Sequence, residues 1–135
     1  MKHILIIIIL SICSLSNSYA QHNTHATTHA KVTCYQPTKA QCSGNPLQTA
    51  DGSVINLDKL KTGKIRWCAV SHDIWHLFPK DKPKRIRIEG CPPLNGIWEV
   101  RDKTNRRLHH TVDILIHPRD KARYAFRNVK IHILK

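Results

Sequence analysis

From Lys31 onward the chain is divided into short runs in which apolar and polar residues alternate, and each run ends at a cluster of Pro, Gly, Asn or Asp. Ile86 and Ile88 stand between Arg85, Arg87 and Glu89, and Val129, Ile131 and Ile133 are separated by Lys130 and His132. A period of two sends alternate side chains to opposite faces, so each run reads as a strand with one buried face and one wet face. The pattern predicts strands near 31–36, 65–71, 84–89, 96–101, 111–116 and 128–134. Two stretches read as short helices. In 73–78, Asp73 can charge or cap the first turn, and in 118–126 Pro118 comes early with Ala122 and Ala125 inside. Six short strands left as an open sheet would expose two unpaired edges, which closure into a barrel removes. The expected fold is therefore mainly β, a closed six-stranded barrel with one or two short helices. The turn-rich span 37–62, with Asn45-Pro46 and Asp51-Gly52, reads as a long loop partly pinned by Cys42.

The amino terminus follows a different rule. Met1-Lys2-His3 precedes an apolar run from Ile4 to Leu10, and Ser18-Tyr19-Ala20 forms a small-x-small site, so residues 1–20 read as a secretory signal peptide. A membrane-spanning helix needs about 20 apolar residues. This run is broken at Ser11, Ser14 and Ser16, and no transmembrane segment is expected. Ile12 is bulky where a lipidation motif wants a small residue, which argues against lipidation at Cys13. Residues 21–30 are polar and rich in His and Thr, with no apolar period, and read as a flexible leader. His22, His25 and His29 lie in it, but no metal or cofactor is expected. One domain, 31–135, remains, and a monomer is expected.

Export places the remaining cysteines, Cys34, Cys42, Cys68 and Cys91, in an oxidising compartment, where two disulfides are expected. The spacing leaves all three pairings open, and free buried thiols are the alternative. The 22 Lys and Arg outnumber the nine Asp and Glu. One of the 22, Lys2, lies in the leader peptide, so the mature charge is 21 − 9 = +12 with His neutral. Such a charge draws the protein toward polyanions. No nucleic-acid-reading module is visible, which leaves anionic envelope polymers as the expected partners, at a secreted or periplasmic address.

Three motifs carry the candidate chemistry: Thr49-Ala50-Asp51-Gly52, then Ala69-Val70-Ser71-His72-Asp73, then Val100-Arg101-Asp102 with Asp113 eleven positions further on. With the aromatic first strand ending at Tyr35, their order resembles the double-psi β-barrels of rare lipoprotein A, the three-aspartate domain, membrane-bound lytic transglycosylase A and, more distantly, expansins. The resemblance covers about residues 31–134. It implies that Asp113 is an acid/base, that Asp102 and His72 assist, and that Tyr35 lines a substrate groove. Asp51 and Trp75 join Tyr35 as candidate sugar contacts, while Trp98 shares the parity of Val100 and is expected in the core. Parity speaks for Asp113 independently, because Val112, Ile114 and Ile116 share the other face of its strand. The cations Arg101, Lys103, Arg106, Arg107, His109 and His110 would lower its pKa, whereas burial or Asp102 would raise it.

The stretch Asp102-Lys103-Thr104-Asn105-Arg106-Arg107 lacks the glycines that the active families carry after this aspartate. Two functions follow from the sequence. One is a wall enzyme that cleaves peptidoglycan glycan strands in the manner of a lytic transglycosylase or glycosidase, and the other is a polysaccharide-binding module of the expansin kind. A third class is a disulfide-stabilised secreted inhibitor or toxin with a basic surface.

Overall fold

The computed structural model describes residues 24–135; the proposed signal peptide and the first three residues of the leader lie outside the described residues. Six strands close into a barrel: β1 (Thr24–Tyr35), β2 (Trp67–Val70), β3 (Arg85–Glu89), β4 (Gly96–Lys103), β5 (Thr111–Leu115) and β6 (Ala125–Leu134). Around the barrel the order is β1-β5-β2-β4-β3-β6. The pairs β1/β5 and β2/β4 are parallel and the other four are antiparallel. Two short α-helices, α1 (Leu57–Lys61) and α2 (His72–Trp75), and one 3-10 turn at Pro92–Leu94 complete the fold. The mainly β, six-stranded closed barrel expected from the alternation is the fold observed. Among the described residues no helix is long and apolar enough to cross a membrane.

The barrel interior is filled by the alternate residues that the pattern singles out. Val32, Val70, Ile86, Ile88, Val112, Ile114, Ile131 and Ile133 are at most 1 % exposed. Burying each such side chain stabilises the fold by about 1.5–3 kcal/mol. Trp98 joins them as expected, its Nε1 donating to the Leu94 carbonyl at 2.8 Å, so the one polar atom of the indole is satisfied inside. A second, smaller core lies outside the barrel wall. Ile55, Leu60 and Leu115 pack there with Tyr35, Leu47 and Trp67. That cluster explains why Leu115, which shares the outer face of β5 with Asp113, is still buried: the segment between β1 and β2 folds back over it.

Several expectations are corrected. Residues 24–30, read as a flexible leader, are the first half of β1 and pair antiparallel with β6, Thr27 opposite His132 and His29 opposite Lys130. Ala26, Thr28 and Ala30 turn toward the barrel while His25, Thr27 and His29 face out. The alternation is present but made of small residues, and the hydrogen bonds that hold it come from a strand a hundred residues away. Residues 118–126 are not a helix. A nine-residue helix opening with Pro is marginal by itself, and extended contacts displace it. Gln36 Nε2 donates to the carbonyls of Pro118 and Asp120, Cys34 Sγ to that of Ala122, and Tyr124 N to Cys34 Sγ, after which β6 begins at Ala125. Within the span read as a loop, residues 57–61 form α1, capped by Asn56 Oδ1 accepting from Lys59 N at 2.9 Å and closed after Thr62 by Gly63 at φ +70°.

The two expected disulfides are not formed, and Cys34, Cys42, Cys68 and Cys91 are all thiols. For one pair the geometry explains it. Cys34 and Cys68 are the register partners of Ile114 on its two sides. They stand two strand spacings apart, about 9–10 Å, beyond the roughly 7 Å that a disulfide spans between Cα atoms. Cys42 is held elsewhere, its Sγ donating to the Gln36 carbonyl, and Cys91 is buried where β3 leads into the 3-10 turn.

Candidate functional site

Asp113 sits in the middle of β5, between Thr33 of β1 on one side and Ala69 of β2 on the other. Its neighbours Val112 and Ile114 enter the core, so its carboxylate lies on the outer face, where a groove of about 610 Å³ opens. Asp102 reaches the same groove from β4, again beside Ala69. A β-bulge between Cys68 and Ala69 shifts the register there and makes Ala69 the partner of both aspartates. The small alanine is the floor between them.

The two carboxylates have different environments. Asp102 is fully committed. Its Oδ1 accepts from the amides of Ala50 and Lys103, each at 2.9 Å, and its Oδ2 accepts from the Tyr35 hydroxyl at 3.1 Å. It thereby ties β4 to the Thr49–Ser53 turn and to the end of β1. Burial, together with the charge and hydrogen bond of Asp102, pushes the Tyr35 phenol far above its ordinary pKa, so it remains a donor. Asp113 has one partner among the described residues, the Thr33 hydroxyl, which donates to Oδ1 at 2.8 Å. Burial raises its pKa, the Thr33 hydrogen bond opposes that, and the negative charge of Asp102 adds to the rise. The neighbouring cations do not reverse it. Arg101 is engaged by Glu99 at 2.6 Å and Asp51 at 3.4 Å, and Arg106, Arg107, His109 and His110 are exposed.

The structure thus joins Asp113, Asp102 and Tyr35 in one groove and leaves Asp51, Trp75 and His72 outside it. Asp51 faces away. Its Oδ1 accepts from the Thr49 hydroxyl at 2.7 Å and Ser53 N at 3.0 Å, and its Oδ2 meets Arg101, so it shapes the turn whose other side walls the groove. Burial works to raise its pKa, but the Ser53 and Thr49 hydrogen bonds and Arg101 hold it below the usual range. Trp75 and Asp51 line a second groove of about 540 Å³. His72, at the start of α2, lines neither groove.

Three contributors were not singled out from the sequence: Thr33, which orients Asp113, and Asn45 and Gln48, which add amide groups to the rim. Thr33 has the parity of Tyr35 on β1, a signal that is readable once β1 and β5 are known to pair in parallel. Cys42 also lines the groove; its thiol pKa is raised by burial and by the two aspartates, against a hydrogen bond from the Thr38 backbone. Among the described residues, no group of three or more His, Cys, Asp or Glu is placed to hold a metal ion.

Such a site can offer a proton from one carboxyl group held in a polar groove and take it back again. A chemistry that needs two free carboxylates would have to release Asp102 from three donors. Compared with known proteins, the chain matches no family model, no curated protein and no solved structure, so the functional reading rests on these residues.

Proposed function

We propose that the chain is a secreted or periplasmic cell-wall protein that acts on the glycan strands of peptidoglycan, with Asp113 as its acid/base. The observation that carries this reading is the division of labour between the aspartates: Asp102 holds the wall of the groove, while Asp113 is desolvated, raised in pKa and bonded through only one oxygen. A lytic transglycosylase needs one such group. It protonates the glycosidic oxygen as the bond to the anomeric carbon breaks, then accepts the proton of the sugar's own 6-hydroxyl as that oxygen closes an anhydro ring. Thr33 would keep Oδ1 oriented through both transfers, leaving the other oxygen to exchange the proton. A hydrolase of the ordinary kind uses a flanking pair of carboxylates, which the commitment of Asp102 disfavours.

The same commitment also supports a second reading, a binding module that grips glycan without cleaving it. In that case Asp113 accepts hydrogen bonds from sugar hydroxyls, and Tyr35 is the aromatic side chain of the groove.

Both readings are tested by incubating the purified protein with peptidoglycan sacculi and measuring pelleting and released muropeptides, including anhydro ends. For an enzyme, Asp113→Asn should retain pelleting and lower release by about 100-fold or more, the usual contribution of general acid/base catalysis. Unchanged release by Asp113→Asn refutes the catalytic role. Absence of release by the wild type, with pelleting weakened by Asp113→Asn, establishes the binding module instead.

A further inference from the structure

The second groove, on the other side of the Thr49–Ser53 turn, has no part in the chemistry of Asp113 and a different character. Lys82, Lys84, Arg85 and Arg101 line it, with Asp51, Glu99 and Trp75. Both acids in it are spent on one cation, since Glu99 and Asp51 pair with Arg101. Among the described residues, Lys82, Lys84 and Arg85 make no ion pair, and neither does Lys103, which lines the Asp113 groove but brings its ammonium to Trp75. Arg85 Nε is buried without an acceptor, although Glu99, its cross-strand partner, is turned to Arg101. The ammonium groups of Lys84 and Lys103 lie 4.8 Å and 4.4 Å from the centre of the Trp75 ring. Like charges gathered over one aromatic ring repel each other, and the ring's quadrupole offsets only part of that.

From this arrangement we infer that the second groove is a binding site for the phosphate groups of an anionic phosphodiester polymer of the cell envelope. A bound phosphate would supply the negative charge that four cations in and beside the groove lack. The observations favour a sugar- or polyol-phosphate chain over a nucleic acid. Bases are gripped by free aromatic faces, whereas Trp75, the one aromatic in this groove, packs against the barrel core and carries two ammonium groups over its ring. The site needs nothing from Asp113, but its envelope ligand rests on the secreted or periplasmic address proposed above.

The test uses the purified protein with three probes at equal phosphate concentration: a fluorescent glycerol-phosphate oligomer of about ten units, inorganic phosphate, and a single-stranded oligonucleotide of similar length. Anisotropy gives the affinity of the two labelled chains, and titration calorimetry that of phosphate. The oligomer should bind most tightly. Lys82→Gln/Lys84→Gln should weaken it about tenfold or more and reduce the slope of log Kd against log salt by about one to two, one step per released counterion. Lys61→Gln/Lys64→Gln removes the same charge at the exposed end of α1 and in the turn after it, and should change affinity less than about threefold. Arg85→Lys keeps the charge but not the guanidinium fork that matches phosphate, and should weaken binding with the salt slope unchanged. Thermal melts confirm that each variant is folded. Equal losses from the two lysine pairs overturn the site in favour of diffuse charge, parity with inorganic phosphate overturns the polymer, and tighter binding of the oligonucleotide overturns the ligand class. Asp113→Asn should bind the oligomer as wild type does, so failure of muropeptide release leaves this result untouched.

Discussion

Among the described residues, the hydroxyl of Tyr35 donates the one hydrogen bond from β1 to the carboxylate of Asp102, and its removal has a calculable effect. In Tyr35→Phe the ring still packs with Leu47 and Leu115, while the 3.1 Å hydrogen bond to Asp102 Oδ2 is lost. A hydrogen bond to a charged group contributes about 1.5–3 kcal/mol, more than a neutral one because the lone acceptor must be desolvated. Burial is the largest cause of the raised phenol pKa, so water replaces the hydroxyl only in part and the loss is at least about 1.5 kcal/mol. For a domain of this size that lowers the melting temperature by roughly 4–8 °C, with little change in the urea m-value. The cleaner assay is a double-mutant cycle with Asp102→Asn, in which both single variants and the pair are unfolded in urea. A coupling energy of about 1 kcal/mol or more is expected, since the two groups touch. Additive effects, or a Tyr35→Phe loss under about 0.5 kcal/mol, the scale of an ordinary surface change, would refute the claim that Tyr35 helps to hold Asp102 and the Thr49–Ser53 turn against β4.

Other predictions rest on single environments. Asp113 titrates higher in the folded chain than in the unfolded one, so its protonated form stabilises the fold below the usual carboxylate range and that contribution is lost as pH rises through its folded pKa; urea midpoints from pH 3 to 8 should therefore show Asp113→Asn gaining on wild type as pH rises, and parallel curves would contradict the raised pKa. Thr33→Val removes the bond that opposes this rise, so the Asp113 titration, followed by NMR, should move further upward, whereas a downward move would mean that Thr33 does not donate to it. Native-state thiol labelling should modify the partly exposed Cys34 and Cys42 and leave fully buried Cys68, whose pKa burial raises, unreacted until the chain unfolds; a Cys34–Cys68 crosslink found by peptide mapping would disprove the register around Ile114.

The sequence alone determined where strands β2 to β6 are centred, the second half of β1, and the direction in which their side chains face. Alternation is a local property, so Ile86 and Ile88 inward, Trp98 with Val100, and Asp113 opposite to Val112 and Ile114 were all readable before any pairing was known. The identity of the neighbours was not. Ala26, Thr28 and Ala30 are too small to signal a strand by themselves, and only β6 makes them one. Residues 118–126 carry helix-compatible residues, yet long-range bonds to Gln36 and Cys34 keep them extended. The site divides in the same way. Asp113 was visible from parity, but the distinction between a carboxyl group with one donor at Asp113 and one with three at Asp102 depends on Thr33, Ala50 and Tyr35 arriving from distant parts of the chain. The separation of Asp51 and Trp75 from that groove was equally hidden, because spacing along a chain fixes which way a side chain points and the closure of the barrel fixes what it meets.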